Sequence, residues 1–292
     1  MNKKLIVYLS GGMGNQLFQY FFGMSYSKIL NRKLYIENKT SFLTDFAFKR
    51  NFEIPLISLE NTKSYTLSFL FFRIIRRIFK KKIFKIFNNL FITEKELKKN
   101  KDILKKNANV KNIFVIGDFQ DEKYFEKDKI DTKNTLNFGE IKNNKIIEVF
   151  KSLDLKNSVA IGMRFYEELS KNKQHLVGDV TPLSFYNHAI GLFEKKLENP
   201  KYIIFSFKEH EMLKKLNISK EKVVFINDQT IQCKNIEKLL MMSNFKNFII
   251  SNSSFYWWAA YFAEMKYGKI NIVATNNFYD HRTIPDRWKT LD

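Results

Sequence analysis

Short apolar runs along the second half of the chain alternate with segments whose apolar residues recur at helical spacing. The runs lack strict polar alternation, which is typical of strands covered on both faces: NSVAIGMRF, KYIIFSF, KVVFIN, NFIIS and KINIVAT. The segments between them predict helices: TPLSFYNHAIGLFEKKLEN (with Thr181 as N-cap and Pro182 in the first turn), EHEMLKKLN, NIEKLLMMSNF and SSFYWWAAYFAEMK. This alternation predicts a doubly wound, Rossmann-like lobe with a parallel sheet.

The first residues of the chain predict a strand, a glycine turn and a helix. LIVYLS is the strand, with Leu5–Leu9 buried, and GGMGN and QLFQYFFGMSYSKIL are the turn and the helix. KLYIEN and KNIFVIGDFQ predict further strands, and a helix is expected near Ile141–Leu153. We therefore predict an α/β chain of two lobes, residues 1–155 and 156–292.

Residues 67–92 read LSFLFFRIIRRIFKKKIFKIFNNLFI, in which apolar residues recur at helical spacing among basic ones. A basic amphipathic helix rich in Phe can lie in a membrane interface, held by apolar burial and by anionic headgroups. The basic residues expected to contact the membrane are Arg73, Arg76, Arg77, Lys80, Lys81 and Lys82. The alternative is a helix packed on the core with its basic face in water.

The formal net charge of +20 on 292 residues favours an anionic partner: nucleic acid, a membrane surface or a phosphorylated substrate. A solvated, Lys-rich surface is the alternative. The basic residues interleave with Phe and Ile rather than with a known nucleic-acid-binding pattern, which disfavours nucleic acid as the partner. A single cysteine, Cys233, excludes a disulfide framework and suits a reducing cytoplasm. No spanning helix is expected, so the predicted location is cytoplasmic, with peripheral contact to the inner face of the cytoplasmic membrane.

The glycine turn GGMGN is the first candidate binding element, with Gly11, Gly12, Gly14 and Asn15. Glycines between a strand and a helix allow close approach of a ligand, and the helix N-terminus favours an anion such as a pyrophosphate. The motif is not GxGxxG, because Leu17 stands where the third glycine would fall. The alternative is a tight turn that only packs the helix on the strand.

A second candidate element follows a predicted strand and opens a helix: Ser251, Asn252, Ser253 and Ser254. Their side chains can cap the helix and also donate to phosphate oxygens, at the sheet edge where open α/β folds bind ligands. The alternative is simple capping, with Trp257 and Trp258 in the core.

Arg164 ends a predicted strand at the same edge, where an arginine is a natural bidentate clamp for a diphosphate. The alternative is a surface ion pair with Glu167 or Glu168. Neither an Asp-x-Asp pair nor an HExxH motif occurs, and the four histidines are scattered. We therefore expect no metal and no cofactor other than a nucleotide-sugar substrate.

Four segments together resemble the inverting α-1,2-fucosyltransferases of bacterial surface-glycan synthesis: GGMGNQLFQYFFG, GDFQDEKYF, IISNSSFYWWAAYF and PDRWKTL, in that order over nearly the full chain. The first and third are specific, and the other two support them. The resemblance implies a two-lobed GT-B fold with an acceptor-side first lobe, and metal-independent transfer of fucose from GDP-fucose to a galactose hydroxyl. It also places Gly12, Gly14, Asn15 and Gln16 near donor and acceptor, and Asn252, Ser253 and Ser254 at the phosphates and ribose.

Two segments depart from the family pattern. Where the family has His-x-Arg-Arg-Gly-Asp, this chain has Gly162–Glu167, and Arg164 alone matches. Where the family has Phe-Ser-Asp-Asp, this chain has Phe205–Lys208, which retains Ser206 but replaces acid with base. An ammonium cannot accept the N–H bonds of guanine, so guanine recognition should weaken. Three readings remain open: another nucleotide sugar, a rebuilt fucosyltransferase site, or an inactive descendant.

Bond breaking in such a transfer leaves charge on the departing diphosphate, so electrostatic stabilisation should dominate catalysis. Arg164, the helix dipole behind Ser253 and Ser254, and N–H groups of the glycine turn are the candidates. The base at the acceptor hydroxyl would be Glu167, with Glu168 second. A basic face suits a lipid-linked or lipooligosaccharide acceptor. The rivals are a non-catalytic sugar-binding or scaffold protein of glycan assembly and, more remotely, a nucleic-acid-binding protein.

Overall fold

The computed structural model of the chain describes residues 3–46, 48–54, 66–79, 84–86, 88–125, 140–166, 179–227, 231, 233–278 and 280–292. The chain separates into two compact units, unit 1 (Met1–Asn137) and unit 2 (Phe138–Asp292). The division falls earlier than the expected position near residue 155. The reason is that the segment before residue 155 packs with unit 2: the backbone N–H groups of Lys142 and Asn143 both donate to Glu237 Oε1 at 3.0 Å.

Unit 1 is an α/β sandwich around one five-stranded sheet. Its strands are β1 (Lys4–Tyr8), β2 (Lys33–Glu37), β3 (Phe84–Ile86), β4 (Asn89–Thr93) and β5 (Asn112–Ile116). Its helices are α1 (Met13–Ile29), α2 (Thr40–Leu43), α3 (Thr66–Phe79), α4 (Glu94–Lys99) and α5 (Ile103–Lys106), with a 3₁₀ turn at Glu122–Tyr124. The sheet order is β2-β1-β5-β4-β3, and every pairing is parallel except that of β3 with β4. The predicted strand, glycine turn, helix and strand at the start of the chain are confirmed.

Helices cover both faces of this sheet. On one face Phe69 and Phe72 of α3 are fully buried against aromatic residues of the sheet, with the Phe69 ring 5.0 Å from the Tyr8 ring and the Phe72 ring stacked 5.0 Å from Phe91. Each buried Phe contributes about 2–3 kcal/mol. On the other face α1 lies so close to β1 that a Cβ on Gly23 would come within 2.8 Å of Val7.

The expected helix over residues 67–92 is correct only for its first half. Helix α3 ends at Phe79, and β3 and β4 then form an antiparallel hairpin. The reason is that Leu90, Phe91 and Ile92 are three consecutive buried residues in a strand paired with β5, and a helix could not bury all three on one face. Lys80, Lys81 and Lys82 lie outside the described residues.

Unit 2 contains a six-stranded, fully parallel sheet in the order β11-β10-β9-β6-β7-β8. The strands are β6 (Ser158–Gly162), β7 (Lys201–Phe205), β8 (Val223–Ile226), β9 (Asn247–Ile250), β10 (Asn271–Thr275) and β11 (Lys289–Leu291). The helices are α6 (Asn144–Lys151), α7 (Leu183–Lys196), α8 (Asn235–Met242) and α9 (Ser254–Tyr267), with 3₁₀ turns at Glu211–Lys215, Lys220–Lys222 and His281–Thr283. The predicted doubly wound sheet is confirmed. The segment EHEMLKKLN forms only a 3₁₀ turn, and β11 is a strand that the sequence pattern did not reveal.

Helix α9 is a core helix, as its apolar composition on all sides suggests. Trp257 and Trp258 are fully buried, which confirms the core interpretation of both. The indole N–H of Trp257 donates to the Thr283 carbonyl at 2.7 Å, and its ring lies 5.4 Å from that of Trp288. The C-terminal segment therefore closes the core of unit 2.

Arg32 fastens the amino-terminal edge of the sheet in unit 1. It is 7% exposed, and burial lowers the pKa of its guanidinium. The guanidinium donates to five backbone carbonyls at 2.8–3.5 Å: those of Lys4, Asn107, Ala108, Val110 and Lys111. These bonds tie the start of β1 to the segment that leads into β5.

We expect Arg32→Met to lower the free energy of unfolding by about 2–4 kcal/mol, because it leaves several carbonyls without their donor. Lys33→Met, at the exposed neighbouring position, is the matched control and should change stability by less than about 0.5 kcal/mol. Urea and thermal unfolding of the two variants measure the difference. Equal stability of both variants would contradict the role given to Arg32.

Candidate functional site

The loops after β6 and β9 form the candidate site of unit 2. These strands are neighbours, but the chain continues from β6 to β7 on one side and from β9 to β10 on the other. Loops that leave adjacent strands in opposite directions open a crevice at the carboxyl edge of the sheet, where open α/β folds bind ligands. The Ser251 N–H donates to the Gly162 carbonyl at 3.1 Å, so Arg164 and Ser251–Ser254 lie beside the same crevice.

Tyr256 connects the chain just after β6 to the end of β7, the neighbour of β6 on the side away from β9. Its buried hydroxyl donates a shared hydrogen bond to the carbonyls of Met163 (3.0 Å) and Phe205 (2.9 Å). A Cβ on Gly162 would lie 2.3 Å from the Tyr256 ring, so this packing requires glycine. Gly162 stands where the fucosyltransferase pattern has histidine. In this chain the Tyr256 ring therefore fills the space beside the strand that a larger residue at position 162 would need.

Arg164 is half-buried, and its guanidinium lies over the Tyr166 ring, 4.7 Å from the centroid. Tyr166 has a φ of 57°, a left-handed conformation that costs a non-glycine residue about 1–2 kcal/mol. The family pattern has glycine at this position, so the backbone keeps a glycine-like conformation although the side chain has changed. Burial raises the pKa of Tyr166, and the charge of Arg164 partly offsets this. Glu167 and Glu168, the predicted bases and alternative ion-pair partners, lie outside the described residues.

Ser253 occupies the N-cap position of α9, but its side chain makes no capping hydrogen bond. Its N–H donates instead to the Ser251 carbonyl at 2.7 Å. The alternative of simple helix capping by this hydroxyl is therefore wrong. Ser254 begins the helix beside it. The positive end of the α9 dipole lies at the crevice edge of the sheet, where β9 leads into α9.

Asn252 holds a neighbouring loop. Its amide donates to the Asp179 carbonyl at 2.8 Å, and the amide of Asn277 donates to the same oxygen at 3.2 Å. Thr181 is not the N-cap of α7, because Pro182 takes that position. The buried Thr181 hydroxyl lies instead 3.4 Å from Asn252 Oδ1 and 3.3 Å from Asn277 Oδ1. In the described structure, Asn252 therefore positions residues 179–181 at the carboxyl edge of the sheet.

Two buried hydroxyls lie beneath the crevice, and the sequence pattern singled out only one of them. Within the described part of the chain, neither Tyr186 Oη nor Ser251 Oγ has a hydrogen-bond partner. Burial raises the pKa of Tyr186 strongly, although the hydroxyls of Ser251 and Thr181 and the backbone of Arg164 are close enough to oppose the shift. The two hydroxyls therefore lie close to each other and to Thr181 and Arg164, but neither makes a hydrogen bond of standard geometry.

The segment after β7 differs from the family pattern in the two residues that follow Ser206. Ser206 is buried, and its hydroxyl donates to the Lys208 carbonyl at 3.1 Å, so it stabilises a turn. Phe207 is 45% exposed, and Lys208 is exposed beside it. An aromatic face and a positive charge therefore occupy the two positions where the family pattern has aspartates.

The glycine turn in unit 1 is stabilised by the side chains that follow it. Gly11 has a φ of 74°, and a Cβ on it would lie 2.6 Å from Asn15 Nδ2. Gln16 is fully buried: its amide N–H₂ donates to the carbonyls of Gly11 (2.9 Å) and Asn51 (2.8 Å), and its oxygen accepts from the Glu53 N–H (2.9 Å). Gln16 thus supports the turn from within, and its amide is committed to the protein.

Gly12 and Gly14 differ in what surrounds them. Gly12 is the N-cap of α1, and a Cβ placed on it would lie 3.7 Å from the Arg50 guanidinium. Gly14 is buried in the first turn of α1. Arg50, which the sequence pattern did not single out, therefore places a positive charge beside the turn and the helix N-terminus.

Asp118 is a second residue that motif analysis did not assign to the site. Asp118 lies two residues beyond the end of β5, and β5 pairs in parallel with β1, the strand that leads into the glycine turn. The loop is fixed to α1 by the Gln120 amide, which donates to Asn15 Oδ1 at 3.0 Å.

Glu94 supports this loop from below, because its Oε2 accepts from the N–H groups of Asp118 and Phe119 at 2.9 Å. Solvent reaches Asp118, yet desolvation raises the pKa of its carboxyl, Glu94 raises it further, and Lys98 opposes both. Because Asp118 is exposed and its loop is tied to the helix that follows the glycine turn, its carboxylate is a candidate proton acceptor. The signal in the sequence was the GDFQDEKYF segment.

The predicted membrane-contacting set is only partly described. Arg73 donates to the Thr44 hydroxyl at 2.8 Å, and its charge lowers the Tyr8 pKa that burial raises. Arg73 therefore lies against unit 1, although it is exposed. Arg76 and Arg77 belong to α3, but their side chains lie outside the described part. Among the described residues, no helix is long and apolar enough to cross a membrane, and no three His, Cys, Asp or Glu residues gather as metal ligands.

A pair of tyrosine variants tests the architecture of the unit 2 site. We expect Tyr256→Phe to lower the free energy of unfolding by about 1–2 kcal/mol, because the buried Met163 carbonyl loses the Tyr256 hydroxyl and the Phe205 carbonyl keeps only the Met163 N–H as a donor. Tyr186→Phe removes a hydroxyl that has no partner, so stability should stay within about 0.5 kcal/mol or rise. Thermal and urea unfolding measure both, and the same loss in both variants would contradict this account.

Comparisons with known proteins find relatives and solved structures that are similar to this chain. A curated relative, the alpha-1,2-colitosyltransferase of Escherichia coli, is 25% identical over 300 residues, which cover 99% of each chain. A mutant of Arabidopsis thaliana FUT1 in complex with GDP matches the fold with a TM-score of 0.55 at 12% identity, over 98% of this chain and 72% of the other. The NodZ alpha-1,6-fucosyltransferase of Bradyrhizobium, soaked with GDP-fucose, matches with a TM-score of 0.51 at 12% identity, over 89% and 92%.

These two structures confirm the predicted α/β, GT-B-like fold. The sequence also matches a family model described as Glycosyl transferase family 11 over residues 4–287, which is nearly the whole chain. The chain therefore belongs to glycosyl transferase family 11 and is a glycosyltransferase.

Proposed function

We propose that this glycosyltransferase moves fucose or a related sugar from a nucleotide-linked donor to a hydroxyl of a bacterial surface glycan, with inversion and without a metal ion. The observation that carries the proposal is the position of Arg164 beside the N-terminus of α9, at the point in the unit 2 sheet where the strand order reverses. The acceptor would be a lipooligosaccharide, an O-antigen or a capsular glycan. The colitosyl activity of the curated relative supports the wider choice of sugar.

The diphosphate of the donor would lie in the unit 2 crevice. Arg164 supplies a cation, the α9 N-terminus supplies the positive end of a dipole, and Ser253 and Ser254 supply hydroxyl donors. All of them act on the charge that develops on the leaving group as the glycosidic bond breaks, which is where electrostatic stabilisation lowers the barrier. GDP and GDP-fucose in the similar solved structures support a GDP-linked donor.

Recognition of the donor base would differ from the family pattern. The exposed ring of Phe207 offers a stacking surface, and stacking does not discriminate strongly among bases because every base has a π face. Lys208 cannot accept the N–H bonds of guanine. We therefore expect the preference for guanine over other bases to be weaker here than an acidic pair would give.

The base that activates the acceptor hydroxyl would be Asp118. It is a described carboxylate at the edge of unit 1 that also carries the glycine turn, and its raised pKa suits proton acceptance. Glu167 remains the alternative suggested by the sequence, with Glu168 second. The glycine turn and Arg50 would line the acceptor side of unit 1. The enzyme would work at the cytoplasmic face of a membrane.

A thermal-shift screen tests the donor proposal. We expect GDP, with or without fucose, to raise the melting temperature more than UDP, CDP or ADP, because a ligand that binds the native state stabilises it by mass action. Arg164→Ala should abolish the shift. Arg287→Ala is the matched control, because Arg287 pairs at 2.6 Å with Glu264 in the last turns of α9, away from the helix N-terminus, and it should keep the shift.

A larger shift with another nucleotide would mean a transferase with a changed donor. If no nucleotide shifts the melting temperature of the parent protein, the sugar-binding or scaffold alternative replaces the transferase proposal.

Asp118→Asn tests the proposed base. We expect kcat to fall about a hundredfold or more with KM little changed, because proton removal is lost while binding remains. The melting temperature, in contrast to kcat, should not fall. A carboxyl whose pKa is raised by folding stabilises the protein only while protonated, and this contribution is lost as the pH rises through the folded-state pKa. The melting temperature of Asp118→Asn at neutral pH should therefore equal or exceed that of the parent.

Glu167→Gln is the comparison variant in the same assay. A large loss of kcat in Glu167→Gln, with Asp118→Asn near parental activity, would assign the base to Glu167. A lower melting temperature of Asp118→Asn together with lost activity would indicate a structural role for Asp118.

A further inference from the structure

Five large apolar side chains of unit 1 stand exposed on two adjacent elements, although the core nearby is well packed. Their exposed fractions are Leu43 65%, Phe46 81%, Leu67 83%, Phe71 46% and Ile74 55%. We refer to these five residues as the α2–α3 patch. Leu43 ends α2, Phe46 follows it, and the other three lie on α3.

Helix α3 is apolar on two faces. Leu67, Phe71 and Ile74 are spaced four and three residues apart, so they share one face. Phe69 and Phe72, on the opposite face, are buried in the core of unit 1. A helix that only covers a sheet needs one apolar face, and the second face is therefore available to a partner.

The exposed residues of α2 and α3 belong to one surface. The Arg73 guanidinium donates to Thr44 Oγ1 at 2.8 Å, directly after α2, and so ties the two helices together. Because Thr44 lies between Leu43 and Phe46 in the chain, this bond places the two segments side by side. The sequence pattern alone had assigned membrane contact to the basic residues, whereas the described Arg73 is used to hold the patch together.

The charge around the patch indicates what covers it. Residues 61–93 contain eight basic residues and no Asp or Glu: Lys63, Arg73, Arg76, Arg77, Lys80, Lys81, Lys82 and Lys85. Helix α3 therefore combines an exposed apolar face with basic residues and no acid, which fits a partner that is both apolar and anionic. The acid nearest the patch in the chain, Asp45, is half-buried and accepts from the N–H groups of Phe48 and Arg50. A layer of anionic lipid headgroups over acyl chains has this chemistry. At 14 residues α3 is too short to span a bilayer, so it would lie along the surface.

A second copy of the chain fits this surface less well. In a two-fold symmetric dimer the same patch faces itself, which would bring two acid-free basic segments together. With a net charge of +20 per chain, such a contact would meet like-charge repulsion.

We propose that the α2–α3 patch inserts into the headgroup region of an anionic membrane and so presents unit 1 to glycans attached to that membrane. The inference deepens the acceptor side of the proposed function. Arg73 lies close enough to Tyr8, at the end of β1, to lower its pKa. The patch thus adjoins the sheet edge that carries the glycine turn.

Cosedimentation of the full chain with vesicles tests the proposal. The vesicles are phosphatidylcholine alone, or phosphatidylcholine with phosphatidylglycerol, at low and at high salt. The patch variant is Leu67→Ser, Phe71→Ser and Ile74→Ser combined, which keeps every basic residue. The control variant is Ile29→Ser with Val180→Ser, two exposed apolar residues outside the patch.

We expect the parent and the control to bind phosphatidylglycerol vesicles at least about tenfold more strongly than phosphatidylcholine, and the patch variant to lose about tenfold or more of that binding. Unchanged vesicle binding of the patch variant would overturn the proposal. So would a parent dimer in sizing experiments that the patch variant dissociates, because a second copy would then cover the patch.

The nucleotide-induced thermal shift of the same samples separates this inference from the proposed function. A patch variant that keeps the parental shift is folded, so its loss of vesicle binding supports the patch. Absent vesicle binding by a parent that still shows the shift would refute the membrane contact alone.

Discussion

The parallel sheet imposes the constraint on which both units depend. Where parallel strands end, the backbone N–H and C=O groups of the loops have no strand partner, and buried groups of this kind must be satisfied. Side chains from the neighbouring helices satisfy them: Tyr256 over the ends of β6 and β7, Gln16 behind the glycine turn, and Glu94 under the loop after β5. These hydrogen bonds therefore fix the loops that contain the candidate residues Arg164 and Asp118.

The packing around Tyr256 and the backbone at Tyr166 explain in physical terms how this chain accommodates its departures from the family pattern. Gly162 accommodates the Tyr256 ring, and Tyr166 keeps a left-handed backbone where the family has glycine. Strain of this kind persists where the surrounding structure imposes it, and it is concentrated at functional sites. The strain at Tyr166 therefore marks the loop after β6 as a candidate functional element.

Unit 1 shows how one segment can serve two surfaces. Helix α3 buries Phe69 and Phe72 against the sheet and exposes Leu67, Phe71 and Ile74 on its other face. Apolar residues continue at helical spacing beyond the end of α3. That spacing suggested a single helix over residues 67–92, although the last third forms a hairpin.

The sequence by itself determined the α/β class, the alternating elements of unit 2, the glycine turn and the positions of Arg164 and the Ser251–Ser254 segment, because these depend on local periodicity and on strand ends. Only the tertiary structure decided which of these side chains are committed to the protein. Gln16 and Asn252 hold loops, Thr181 is not a cap, and the loop of Asp118 is tied to α1 through Gln120 and Asn15. Such roles depend on hydrogen-bond partners far away in the chain, which residue spacing does not encode.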